Sequence, residues 1–97
     1  MPSYVTLINW TDQGVKNFKD TVDRYEAAQE VISQGGVTFR DIYWTVGPYD
    51  LVGIVEAPDD ETATAALLSV AGQGNIRTTT LRAFNASEMR SVIEKAT

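Results

Sequence analysis

The sequence predicts an α+β fold in which a four-stranded antiparallel sheet carries helices on one face and a further helix follows at the C-terminus. Three observations predict it. Strand-like and helix-like segments follow one another in the order β-α-β-β-α-β before a last helical segment. Gly47-Pro48-Tyr49-Asp50 forms a tight turn between the two middle strands, with Pro48 pre-set for its second position. The other two connections are helical and cross over, and such crossovers are right-handed. Together these give the split βαβ, or ferredoxin-like, topology. All 97 residues fit a single domain, residues 1–97.

The first strand is read at Tyr4-Val5-Thr6-Leu7-Ile8, where β-branched and aromatic residues alternate between two faces. Thr11-Asp12-Gln13-Gly14 then starts a helix, with Thr11 as cap and Asp12 placed to suit the helix dipole. Val15, Phe18, Val22, Tyr25, Gln29 and Ile32 recur at helical spacing and form the face expected to meet a core. Asp20-Thr21 can interrupt this helix, since both residues favour caps, and Gly35-Gly36 ends it. Val37 to Val46 is the longest strand candidate. Beyond the turn, Leu51-Val52-Gly53-Ile54-Val55 is apolar on both faces, which predicts an interior strand covered on each side. Asp59-Asp60-Glu61 load the start of the next helix with negative charge, and that helix stops at Gly72-Gln73-Gly74. Asn75 to Phe84 forms the fourth strand, and Asn85-Ala86-Ser87-Glu88 opens a short helix bearing Met89, Val92 and Ile93 on one side. Such a short helix shields only part of the uncovered sheet face, so a homodimer or larger oligomer, sheets face to face, is expected.

Composition narrows the chemistry by what is missing. With no Cys there is no disulfide, thiol nucleophile or cysteine-held metal. With no His there is no Ser-His-Asp triad and no imidazole base or ligand. Asp59-Asp60-Glu61 diverge around a helix, so no metal site and no cofactor are expected. Thirteen acids against eight bases give a net charge of −5, which repels nucleic acids and anionic membranes. No apolar run approaches the roughly 18 residues of a membrane span, and Met1-Pro2-Ser3-Tyr4 does not open a signal peptide, so a cytoplasmic location is expected.

Several residues remain as candidates for function. Tyr49 and Asp50 could serve as proton donor and as base or ligand anchor, although hairpin chemistry alone also explains them. Thr78, Thr80 and Arg82 share one strand face by alternation, and an arginine flanked by threonines suits a carboxylate or phosphate. The alternative partner for Arg82 is an acid of a second chain, Asp41 or Glu56. Trp10, Tyr43 and Trp44 supply aromatic surface for a planar ligand or for a core, and Tyr43 and Trp44 point to opposite faces. Gly72-Gln73-Gly74 lies after a helix rather than before one, so it reads as a helix stop and not as a phosphate loop.

The stretch Gly47-Pro48-Tyr49-Asp50-Leu51-Val52-Gly53-Ile54-Val55-Glu56-Ala57-Pro58-Asp59 resembles the GYD family, with its Gly-x-Tyr-Asp pattern. The resemblance continues at Gly74-Asn75-Ile76-Arg77-Thr78-Thr79-Thr80-Leu81-Arg82-Ala83-Phe84 and reaches back to Thr11-Asp12-Gln13-Gly14 and Arg24. Asp20-Thr21-Val22 departs from it, where relatives often carry a Ser-Pro helix breaker. The resemblance implies a dimeric α/β-barrel architecture and little about activity. The hairpin is also similar to the ligand-sensing domain of leucine-responsive regulators, though no helix-turn-helix precedes it here. The first function expected is an oligomeric binding or sensing module for a small organic molecule, anionic or aromatic, using Arg82, Thr78, Thr80 and Trp44. An alternative is a cofactor-independent cyclase, isomerase or monooxygenase on a small aromatic substrate. There Tyr49, Asp50 and Arg82 would be acid, base and anion clamp, with Trp44 stacked on the substrate. A structural assembly subunit is the third.

Overall fold

A computed structural model describes residues 1–97. The sequence's alternation and caps set the elements in the order β1 (Ser3–Trp10), α1 (Asp12–Lys16), a 3-10 turn (Phe18–Asp20), α2 (Thr21–Gln34), β2 (Thr38–Trp44), β3 (Leu51–Glu56), α3 (Asp60–Ala71), β4 (Ile76–Ala83) and α4 (Ala86–Ala96). Thr11 caps α1 by accepting the Gly14 N–H, and Asn85 and Glu88 form a reciprocal capping box at α4. The break expected at Asp20-Thr21 is real: the first helix ends at Lys16 and a new one begins at Thr21.

The strands form one antiparallel sheet in the order β2-β3-β1-β4, the ferredoxin-like arrangement. The register sets Tyr4 opposite Val55 and Arg82, Thr6 opposite Gly53 and Thr80, and Ile8 opposite Leu51 and Thr78. Directly paired residues share a face. These rows therefore form the side under α2 and α3, where Tyr4, Ile32, Val37, Phe39, Val55, Ala57 and Ala63 make the core. A bulge between Phe39 and Asp41 shifts β2 by one residue against β3.

Two expectations need correction. The barrel expectation fails, because β2 and β4 are the two edges of an open sheet and do not pair with each other. Within the chain β3 has cover on one side, the side under the helices, and its second side is the one expected to meet a partner's sheet. That strand is interior, and Leu51, Gly53 and Val55 are buried, but Val52 and Ile54 lie half-buried on a face that carries no helix. On the first helical stretch the expected face holds at Tyr25, which packs against the core, and at buried Ile32, whereas Val15, Phe18 and Val22 are about half exposed, since α1, the 3-10 turn and α2 are separate segments rather than one continuous helix. No helix is long and apolar enough to cross a membrane.

Candidate functional site

At the β4 edge, α3 lies over the sheet and leaves a groove of 390 Å³ along the last strand, within the roughly 300–1,000 Å³ of small-molecule pockets. Strand alternation aims Thr78, Thr80 and Arg82 into it, and the register adds Tyr4 from the neighbouring strand. α3 supplies Asp60 at its first turn and an apolar wall of Ala63, Leu67, Leu68 and Ala71 further along. The Tyr4 hydroxyl donates to the Asp60 carboxylate. Burial pushes the Tyr4 phenol above its usual value, and the hydrogen bond to Asp60 adds to the rise, so it stays a donor at neutral pH. The Thr6 and Thr80 hydroxyls bond to each other at 3.1 Å, which satisfies the fully buried Thr6.

Arg82 is exposed but not loose. Its Nη1 donates to the carbonyls of Ala83 and Ser3, the latter at 3.3 Å. Its guanidinium lies 4.5 Å from the centroid of the Phe84 ring and 5.7 Å from that of Tyr4. Asp41 lies opposite Ile54 and Glu56 opposite Ser3, both on the other face of the sheet from Arg82, and Glu56 is taken by Arg40 at 3.4 Å. Neither acid meets Arg82 within one chain.

The other candidates lie elsewhere. Trp44 is on β2, the opposite edge from β4, roughly 19 Å from Arg82 by strand spacing and rise. Its indole N–H donates to Thr21 Oγ1 at 3.0 Å, and its ring meets Tyr25 edge-on at 5.9 Å. Asp50 accepts the Trp10 backbone N–H at 2.9 Å, while its own N–H donates to the Ile8 carbonyl, so it fastens the hairpin to the end of β1. Thr45 donates its hydroxyl to the Tyr49 carbonyl within the same turn. Tyr49 and Asp50 thus sit at the far end of the sheet from Arg82. Trp10 helps line a small apolar cleft of 60 Å³ beside Tyr25 and Ile76, and Tyr43 is exposed on the face without helices.

Sequence reasoning missed one constellation. Thr11-Asp12-Gln13-Gly14 docks against the turn after α3: the Thr11 hydroxyl donates to the Gly74 carbonyl, and Gln13 Nε2 donates to the Gln73 carbonyl and to Asn75 Oδ1. Arg24 clamps the same region through the carbonyls of Asn17 at 2.6 Å and Gly14 at 3.1 Å. Gly72-Gln73-Gly74 is therefore a docking surface as well as a helix stop. Two glycine-bearing segments rich in amides and hydroxyls were the only signal, and it named no partner. The acids at the start of α3 also divide their work. Asp59 caps the helix through the Thr62 N–H at 2.8 Å, and Asp60 faces Tyr4.

Chemically the groove offers a held guanidinium, a carboxylate, two threonine hydroxyls and an apolar wall. It can bind, and Tyr49 and Asp50, the residues expected as acid and base, do not reach it. No three His, Cys, Asp or Glu side chains gather to hold a metal ion.

Comparison with known proteins agrees with this picture of a small module. The chain is similar to the glutamine synthetase and cystathionine beta-lyase binding protein of Thermus thermophilus, at 34% identity over 90 residues, covering 92% of this chain and 95% of that protein. The crystal structure of TTHA0845, also from Thermus thermophilus, superposes with a TM-score of 0.58 at 27% identity, covering 89% of this chain and 96% of that one. The GYD domain family's sequence profile matches residues 4–93, and the chain belongs to that family.

Proposed function

We propose that this chain is a non-catalytic binding module that takes a small organic acid in the groove between α3 and β4. The posture of Arg82 carries this proposal. Two backbone carbonyls hold Nη1 and Phe84 supports the guanidinium plane, which leaves the Nε and Nη2 edge for a ligand. That edge matches a carboxylate bidentately. Thr78 and Thr80 offer further hydroxyls along the same strand face. Catalysis has less support, because the residues expected as acid and base belong to the hairpin and Trp44 belongs to the opposite edge. The name of the Thermus relative, a binding protein of two enzymes, also favours binding over turnover.

A thermal-shift screen of small carboxylic acids tests the site. Arg82→Ala should abolish the ligand-induced shift while the far-ultraviolet circular dichroism stays unchanged. The expected loss is about 1.5–3 kcal/mol, the worth of a hydrogen bond to a charged group. Shifts that persist in Arg82→Ala would remove Arg82 from the site.

The uncovered sheet face we assign to a second copy of the chain. Val5, Leu7, Val52 and Ile54 form an apolar row there in the middle of the sheet, with Leu81 and Tyr43 beside it. These residues are not shared with the groove, so pairing through that face leaves the groove open.

A further inference from the structure

The groove between α3 and β4 carries charge of both signs at one end. Tyr4 lies between them: its hydroxyl donates to Asp60 and its ring lies 5.7 Å from the Arg82 guanidinium carbon. Both charges act on the same phenol, Asp60 raising its pKa and Arg82 lowering it. Yet Arg82 and Asp60 do not form an ion pair; the chain's one salt bridge joins Arg40 and Glu56 on the other face. Each of the two groups keeps unused capacity. Arg82 spends Nη1 on backbone carbonyls and retains the Nε and Nη2 donors. Asp60 receives Tyr4 on Oδ1 and retains Oδ2.

A simple anion at Arg82 would meet the Asp60 carboxylate, and a simple cation at Asp60 would meet the guanidinium. A ligand bearing an acid and an ammonium group on one carbon satisfies both without repulsion. Away from this polar end, Leu67, Leu68 and Ala71 give the groove an apolar wall suited to an aliphatic tail. We infer that the groove selects a free α-amino acid with an aliphatic side chain, its carboxylate on Arg82 and its ammonium on Asp60. This rests on the binding role proposed for the groove and names the class of ligand.

Calorimetric titration at neutral pH with three probes of one carbon skeleton tests it. L-leucine carries both groups, 4-methylpentanoate lacks the ammonium, and 3-methylbutylamine lacks the carboxylate. Leucine should bind, with the other two weaker by roughly tenfold or more, as expected for loss of one charged contact. Asp60→Asn keeps an oxygen for the Tyr4 hydroxyl, so the fold should persist by circular dichroism. It should weaken leucine while sparing or strengthening 4-methylpentanoate. If 4-methylpentanoate binds the native protein as well as leucine does, or if Asp60→Asn leaves leucine affinity unchanged, the amino-acid assignment is overturned while the organic-acid site stands. If none of the three binds at millimolar concentration and no carboxylic acid shifts the melting temperature, both are overturned.

Discussion

Gly14 shows how closely single residues are fitted in this fold. A Cβ added there would stand 2.0 Å from the Asn75 carbonyl oxygen, a backbone atom fixed by its own hydrogen bond from the Thr11 N–H. Neither the helix start nor the turn can retreat easily, because Thr11, Gln13 and Arg24 tie them together with side-chain hydrogen bonds. Gly14→Ala should therefore cost about 3 kcal/mol or more, at the upper end of overpacking changes. Urea unfolding followed by circular dichroism measures it, and an unchanged midpoint would show that the contact is not tight. At Gly53 the neighbours of an added Cβ are mainly side-chain methyl groups, those of Ile42 and Thr6 at 3.1 and 3.2 Å, and a smaller cost is expected. The difference lies in what must move: side chains can turn, whereas the docked backbone cannot.

Among the elements, α3 connects sequence, stability and site most directly. Its N-cap Asp59 is held below the ordinary value of 3.8, first by the Thr62 backbone N–H and then by the Thr62 hydroxyl. A depressed carboxylate favours the native state above the unfolded-state pKa, and that contribution is lost as pH falls through the lowered native value. Stability should thus decline below about pH 4, the ordinary aspartate range. Asp59→Asn keeps a capping oxygen without titrating, so its melting temperature should fall less steeply between pH 5 and pH 2, as read by calorimetry at each pH. The acidic start of α3 is legible in the sequence as dipole complementation rather than as a cap, while the Thr11 cap, the helix start at Asn85, the hairpin, the interruption at Asp20-Thr21 and the order of the strands are read directly. Local spacing and residue type determine all of these. Alternation likewise placed Thr78, Thr80 and Arg82 in one row. The same local rules could not show that Tyr4 and Asp60 complete that row, because strand pairing and helix docking bring them together from more than fifty residues apart in the chain. The grouping of Trp44 with Arg82 conflicts with the ferredoxin-like order that the sequence predicts, which already sets β2 and β4 at opposite edges. The expected core face of the first helical stretch holds only from Tyr25 onward, because the segment before it is a short helix and a 3-10 turn rather than one continuous helix.

At the scale of the whole molecule, shape and core are both unusual for a chain of this length. The radius of gyration is 14.5 Å, against about 12.5 Å for a compact chain of this length. Only 12 of 97 residues are buried, a thin core even for a small domain. One cause is α4, which packs along no other element and leaves Met89, Val92 and Ile93 between 39% and 50% exposed. An isolated helix of this length is marginal in water, so its apolar stripe implies cover. The other cause is the sheet's bare face, where Val5, Leu7, Val52, Ile54 and Leu81 form a contiguous apolar surface. Four strands of this length span roughly 20 by 27 Å, so pairing two such faces would bury on the order of 1,000 Å² in total, the lower bound of a specific interface. Contacts from α4 would raise that figure. We therefore expect sedimentation velocity to find a dimer or larger species at micromolar concentration. Leu7→Lys, in the middle of the bare face, should dissociate it while leaving the buried core under α2 and α3 intact. Hydrogen exchange should then show α4 losing protection together with the β4 edge, since one assembly would cover both surfaces. A well-folded native monomer would show that the bare face and α4 need no second copy for cover. An assembly that survives Leu7→Lys would place the contact on another surface and leave the bare face free for a different protein.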